Sequence, residues 1–412
     1  MNYFFFSKES LFAFYLVSGI FKLIYPLLHI HGVPDITLLS AILLVFFMVK
    51  EAPEVLKNIS INHAELIVIV LLFYGFMVLS LGYTTSESYC ITKTVAFGTV
   101  ILAFFFPILT KKFNINYFIY SFTIFTFIIS IVFLNFYISY LNEDDIILLY
   151  MTNEEARELT VGYLAVAEFN GILVLYYFFS KRERPLFKWF LFLIAFGLLF
   201  ISGGRGPLIF TLLILGGYMS YQLLLSLINF KIKKIVLPLL VVGLFSMALV
   251  SAIFIKTIDL KKNKSLKLIE NSIERLITLK ESEGGGDSAY SRILYTQFAI
   301  DKINKKPFLG YGIGSFGFEY TNIDDLDYPH NIFLEVWFEL GIIPLILFLL
   351  LFYLVYQNIL FTKSAWSLAL YFYFLLNLLK SSSLIDIRIV TGFFALFILL
   401  KGKEIRNEGK YI

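Results

Sequence analysis

The chain has 412 residues, 59% of them hydrophobic and 18% aromatic, and its mean hydropathy is +0.81; a soluble fold of this size cannot hide so much apolar surface. Lys and Arg number 34 against 30 Asp and Glu, a net charge of +4 that gives no reason to expect nucleic acid as a partner. The single cysteine, Cys90, excludes an internal disulfide and a thiolate metal cluster.

Apolar runs of about 17 to 25 residues can cross a hydrocarbon layer of roughly 30 Å as helices, and they lack the strict alternation of a barrel strand. The expected class is all-α, a polytopic membrane protein with about 12 transmembrane helices. Spans are expected near 11–28, 36–49, 64–83, 91–109, 117–140, 160–180, 186–202, 206–229, 235–258, 331–356, 364–380 and 383–400. The first contains Lys22, follows Lys8 and Glu9, and has no small-residue cleavage site, so it reads as a retained span rather than a removed signal peptide.

Alternate short loops carry the basic residues: Lys50 and Lys57, Lys111 and Lys112, then Lys181, Arg182, Arg184 and Lys188, then Lys231, Lys233 and Lys234, then Lys363, and finally the tail with Lys401, Lys403, Arg406 and Lys410. These loops are expected in the cytoplasm, because positive charge is retained there. The loop 141–159 of the opposite set is acidic, with Arg157 its only basic residue. Both termini are then cytoplasmic, and the long polar stretch 259–330, between spans nine and ten, faces outward with Arg205.

Chain 1–412 thus reads as a single transmembrane domain capped by an extracytoplasmic loop, 259–330. Within it, Leu266, Ile269, Ile273, Leu276 and Ile277 fall at helical spacing among Lys and Glu, as in a helix lying on a membrane surface. Gly284, Gly285 and Gly286 break it. Asp287 and Ser288 can then cap a second helix running to about Asn304, before Pro307 stops it.

Three polar features stand at the outward side: Arg205 in the turn Ser202-Gly203-Gly204-Arg205-Gly206-Pro207, Arg292 on the second loop helix, and His330 before span ten. An arginine at a membrane boundary is most often an anchor for lipid phosphate. Arg205 is constrained by a short glycine turn beside a helix start, where backbone N–H groups also favour an anion, and two guanidiniums can grip a diphosphate through their planar forks. His330 reads either as a polar cap on span ten, beside Asn331, or as a proton acceptor near neutral pH. Glu335 and Glu339 follow at helical spacing, placed either to orient the imidazole or the acceptor, or to face a wet cavity. Gly310 to Gly317 follows no strand and has no βαβ unit around it, which rejects a nucleotide loop. The carboxylates Asp324, Asp325 and Asp327 read as solvated rather than as metal ligands.

The chain resembles the O-antigen ligase and O-antigen polymerase family of bacterial membrane glycosyltransferases. The likeness rests on Ser202-Gly203-Gly204-Arg205-Gly206; on Ser291-Arg292-Ile293-Leu294-Tyr295 followed by Pro307 to Phe316; and on His330-Asn331-Ile332-Phe333-Leu334-Glu335 with Glu339-Leu340-Gly341-Ile342-Ile343. The resemblance implies a GT-C-like helical fold in the bacterial cytoplasmic (inner) membrane that transfers a glycan from a polyprenyl (undecaprenyl) diphosphate carrier to an acceptor sugar outside it. Neither nucleotide sugar nor metal is implied as a cofactor. It makes His330 the general base and Arg205 and Arg292 the diphosphate contacts, with Gly203, Gly204, Asn331, Glu335 and Tyr311 as candidate substrate contacts. Gly204 departs from the family pattern, in which many members carry a serine or another residue before the arginine. The partners implied are the lipid-linked donor, the glycan acceptor, the bilayer and a chain-length regulator. Polymerisation of O-antigen, capsular or other surface polysaccharide repeats is the leading expectation; ligation to a lipid A core is the alternative. A flippase for lipid-linked sugar ranks lower, because the polar residues gather at the outer boundary rather than at mid-membrane.

Overall fold

The computed structural model describes residues 7–27, 32, 34–57, 59–140, 154–181, 184–202, 204–228, 287–324 and 326–408. Among them every regular element is a helix. In chain order these are α1 (Lys8–Leu27), α2 (Ile36–Leu56), α3 (Ile61–Ser80), α4 (Tyr89–Leu109), α5 (Ile115–Tyr140), α6 (Glu154–Phe179), α7 (Pro185–Ile201), α8 (Arg205–Ile228), α9 (Asp287–Lys305), α10 (Phe316–Thr321), α11 (Ile332–Leu340), α12 (Ile342–Thr362), α13 (Ala365–Ser381) and α14 (Arg388–Glu408). Seven of the described helices are long and apolar enough to cross a membrane, and 185–201, 365–380 and 388–400 are shorter apolar helices. The chain is a multi-pass helical membrane protein.

Several boundaries follow local chemistry. Asp35 caps α2, its carboxylate accepting from the N–H of Thr37 at 2.8 Å and of Leu38 at 3.1 Å. Pro185 opens α7, where its missing N–H costs nothing. The loop helix expected from Asp287 to about Asn304 is α9, ending at Lys305 two residues before Pro307. The stretch expected as span ten at 331–356 is broken. Gly341 lies at φ +84°, ψ −173°, and a Cβ there would sit 2.0 Å from the Phe308 carbonyl oxygen, so only glycine fits. The chain therefore makes a nine-residue α11 and starts the span at Ile342. The last span begins at Arg388 rather than 383, because a turn occupies 384–387, and α6 starts at Glu154, inside what reads as an acidic loop. The expected span 235–258, the surface helix 266–277 and the glycine break 284–286 lie outside the described residues.

The helices gather into two compact units. In the first (1–22, 32–125 and 288–412) α4 packs against α14, and α12 against α3 and α14. Thr391 Oγ1 donates to the Val100 carbonyl at 3.1 Å, and Phe352 meets Phe394 edge-on at 5.0 Å between centroids. At one end of these helices a small aromatic cluster of Ala299, Ile303, Tyr311, Phe316 and Phe338 holds α9, α10 and α11 together. Burying a ring such as Phe316 completely contributes about 2–3 kcal/mol. In the second unit (23–31 and 126–287), α6 packs on α7 and α8, and Asn170 donates to Ser130 Oγ at 2.8 Å.

Candidate active site

The cap is built on glycines. Gly310, Gly312 and Gly314 have φ of +68°, +91° and +74°, a region that L side chains seldom adopt. Added Cβ atoms would approach the Phe338 carbonyl oxygen to 2.6 Å, the Thr84 Cα to 2.2 Å and the Cys90 Cα to 3.0 Å. The loop threads between α11 and the α3–α4 turn. There Tyr311 N–H donates to Phe338 O at 2.9 Å, Gly312 N–H to Glu339 O at 2.8 Å, and Thr84 Oγ1 to Ile313 O at 2.8 Å. A second tie comes from Asp324, whose carboxylate accepts from Ser86 Oγ and from Ser88 N–H, each at 2.6 Å, and from Tyr89 N–H at 3.1 Å. Burial pushes that carboxyl up, but these hydrogen bonds outweigh it and hold it at about 2. Asp324 is a capping anchor for α4 and not the solvated loop carboxylate expected from sequence.

On this frame the cap brings His330 and Arg292 together. His330 sits just before α11 in the left-handed region, φ +55°, a strained backbone for a side chain that neither glycine's freedom nor a local asparagine turn explains. Its ring lies parallel to Tyr295 at 5.6 Å and tilted against Tyr328 at 4.5 Å. Burial, and then the positive charge of Arg292, lower its pKa to about 4, so the imidazole is neutral at pH 7. His330 Nδ1 and Arg292 Nε are both buried with no hydrogen-bond partner in the structure. Buried polar atoms are normally paired; two orphaned ones in neighbouring groups point to a polar molecule that binds there.

Asn331 caps α11, its side-chain Oδ1 accepting from Phe333 and Leu334 N–H at 3.0 and 3.3 Å. Tyr311 is buried, its ring stacked on Phe338 at 5.0 Å and its hydroxyl donating to Lys302 O at 3.2 Å. Glu335 and Glu339 do not reach for the imidazole. Both enclose Lys93 of α4, whose Nζ lies 2.5 Å from Glu335 Oε1 and 2.7 Å from Glu339 Oε1, with all three side chains fully buried. Ser383 Oγ and Leu384 N–H also donate to Glu335, at 2.7 and 3.0 Å. Burial, with Lys93 opposing it and Glu335 reinforcing it, leaves the Glu339 carboxyl well above the usual carboxylate range. The triad locks α11, and with it His330, to α4 and to the turn before α14.

Sequence reasoning missed Lys93 because a lysine two residues into an apolar run reads as a span boundary. It also missed Asp386. That carboxylate accepts from Ser383 N–H at 3.4 Å and stands close enough to Tyr328 to act on it electrostatically. It gives the tyrosine-flanked site an acidic side.

Arg205 and Gly204 belong to the second unit. Arg205 is the first residue of α8, and Gly204 is buried where a Cβ would lie 2.3 Å from that of Ala167, which accounts for glycine by packing against α6. Gly203 lies outside the described residues.

The family model described as O-antigen ligase matches residues 190–349, a segment that contains Arg205, Arg292 and His330. Over residues 190–349 the chain is thus similar to the O-antigen ligase family. A protein of Rickettsia typhi named "Putative polysaccharide ligase" is 33% identical over 134 residues, covering 30% of this chain and 29% of that protein. One of the same name from Rickettsia felis is 40% identical over 78 residues, 16% of this chain and 19% of that one. The chain thus spans less than a third of the length of the curated relatives it matches. Within the matched segment, the break at Gly341 and the glycine loop are what set His330 beside Arg292.

Proposed function

We propose that this protein is a glycosyltransferase of the O-antigen ligase and polymerase type, moving a glycan from a polyprenyl diphosphate to an acceptor sugar at the outer face of the bacterial cytoplasmic membrane. The observation that carries the reading is the pair of unpartnered buried nitrogens, His330 Nδ1 and Arg292 Nε. Arg292 meets the diphosphate and stabilises the charge that grows on it as the anomeric carbon–oxygen bond breaks. The acceptor oxygen attacks that carbon from the opposite face, the leaving diphosphate keeps the electron pair, and the neutral imidazole of His330 takes the hydroxyl proton. Arg205 is a further candidate anion contact from its place in the sequence pattern. Polymerisation of repeat units is the leading form of this reading and ligation to a lipid A core its alternative; the two relatives each carry the name polysaccharide ligase.

The test uses the purified full chain with a polyprenyl diphosphate-linked repeat, with and without a second glycan acceptor. His330→Ala should retain donor binding and lose about 10² to 10⁴ in transfer rate, and Arg292→Ala should weaken donor binding as well. Transfer by His330→Ala at the wild-type rate refutes the assignment. Elongation of the donor without the second acceptor would mark a polymerase.

A further inference from the structure

We infer that the cap carries its own membrane anchor, the tip Phe308–Leu309 set in the bilayer at the hydrocarbon edge with Lys305 and Lys306 at the level of the lipid phosphates. Phe308 is 72% exposed and Leu309 67%, in a protein whose cap otherwise turns its aromatic rings inward. Two large apolar side chains side by side in water call for a covering surface. Their backbone fixes where that surface is. Pro307 O accepts from Ile342 N–H, the first residue of α12, at 3.1 Å, and Leu309 O accepts from the hydroxyl of Tyr83, just past the end of α3, at 2.8 Å. Both helices are membrane-crossing candidates. At about 1.5 Å per residue, the 21 residues of α12 match a hydrocarbon layer of roughly 30 Å, so the Ile342 end lies at its boundary.

The apolar belt is continuous at that level. Ile343 and Ile346, in the first turns of α12, are 51% and 56% exposed, as is Leu79 at 70% near the end of α3. A second tip behaves alike: Ile323, 62% exposed, is held to the start of α4 through Asp324. Lys305 and Lys306 are exposed at the end of α9, one residue above the apolar tip, which is the arrangement of an interfacial anchor with cations over an apolar foot. Because Trp337 Nε1 donates to Pro307 O at 3.1 Å, the tip is tied to α11, the helix that His330 precedes. The consequence is a fixed depth: the His330–Arg292 pair is held near the headgroup plane, where the phosphates of a lipid-borne substrate lie.

The occupant is the phospholipid bilayer itself, and the inference does not depend on the glycan-transfer reading. Phe308→Cys, Leu309→Cys and Ile323→Cys, each in a Cys90→Ala background, would be spin-labelled in the full chain. Each is reconstituted in phosphatidylcholine/phosphatidylglycerol nanodiscs with no donor lipid, so a prenyl tail cannot produce the signal. Collision with oxygen is compared with collision with a water-soluble nickel chelate. Expected are oxygen-to-nickel ratios at 308, 309 and 323 close to that of Ile346→Cys and well above that of Asn304→Cys. Ratios at 308 and 309 equal to that at 304 overturn the anchor. A low ratio at Ile346→Cys overturns it too, by removing α12 from the membrane, and in either case the transfer assay above is untouched.

Discussion

Lys93→Met offers the sharpest test of how the site is held. The substitution keeps a long unbranched side chain, one atom shorter, and removes its charge, leaving two fully buried carboxyl groups that now face each other without the ammonium. Breaking a buried ion pair from one side costs about 3–5 kcal/mol. An escape route bounds this figure: taking up a proton at pH 7 costs an ordinary glutamate with a pKa of about 4.3 roughly 3.7 kcal/mol, and this falls by about 1.4 kcal/mol for each unit of pH. Burial and Glu335 already hold the Glu339 carboxyl toward its protonated form, so it is the first to use that route. The deficit of Lys93→Met relative to wild type should therefore be largest near pH 8 and shrink toward pH 5. Thermal unfolding of detergent-purified protein reads this directly: at pH 7.5 the variant should melt about 5 °C or more below wild type, and the gap should narrow at pH 5.5. Adding Glu335→Gln and Glu339→Gln should restore much of the loss, since a fully neutral set no longer buries a charge. Equal melting temperatures for Lys93→Met and wild type at both pH values would refute the reasoning.

The pH profile of transfer should follow His330. Its active form is the neutral imidazole, and with the pKa lowered to about 4 the acid fall in kcat/KM should appear near pH 4 rather than near 6.5; a limb at 6.5 that survives in wild type assigns the proton acceptor elsewhere. The same shift makes unfolded chains bind the proton first between pH 6.5 and 4, so stability should decrease as pH falls through that window, less so in His330→Ala. Gly312→Ala combines a strained φ of +91° with a 2.2 Å approach to Thr84 and should cost about 3 kcal/mol or more. Gly75→Ala, in mid-helix with nothing within 4 Å, should stabilise by about 0.5–1 kcal/mol, and melting curves compare the two. Asp324→Asn should lose about 1–3 kcal/mol at neutral pH, and the wild type should lose the same contribution only as acid protonates a carboxyl held at about 2, a result that circular dichroism at pH 2 to 5 can follow.

Local physics let the sequence determine the class and most of the helices. Hydropathy over a membrane length needs no tertiary partner, and neither do the start of α9 at Asp287 and its end before Pro307, or the Asn331 cap with its two N–H groups. Arg292 and His330 could be singled out because both match the family pattern and His330 is the one histidine of the loop 259–330. What the tertiary structure alone decided are pairings over long sequence distance. Lys93 meets Glu335 and Glu339 across 242 and 246 residues, Asp324 caps a helix start 235 residues away, and Asp386 reaches the histidine's tyrosine neighbour from the far end of the chain. Gly341 shows why span ten was misread: its apolar flanks have the hydropathy of one continuous helix, and the break comes from the Phe308 backbone lying where a side chain would be. Whether a glycine, a glutamate or a lysine serves packing, charge balance or substrate depends on what the fold sets against it, and periodicity along one chain carries no record of that neighbour.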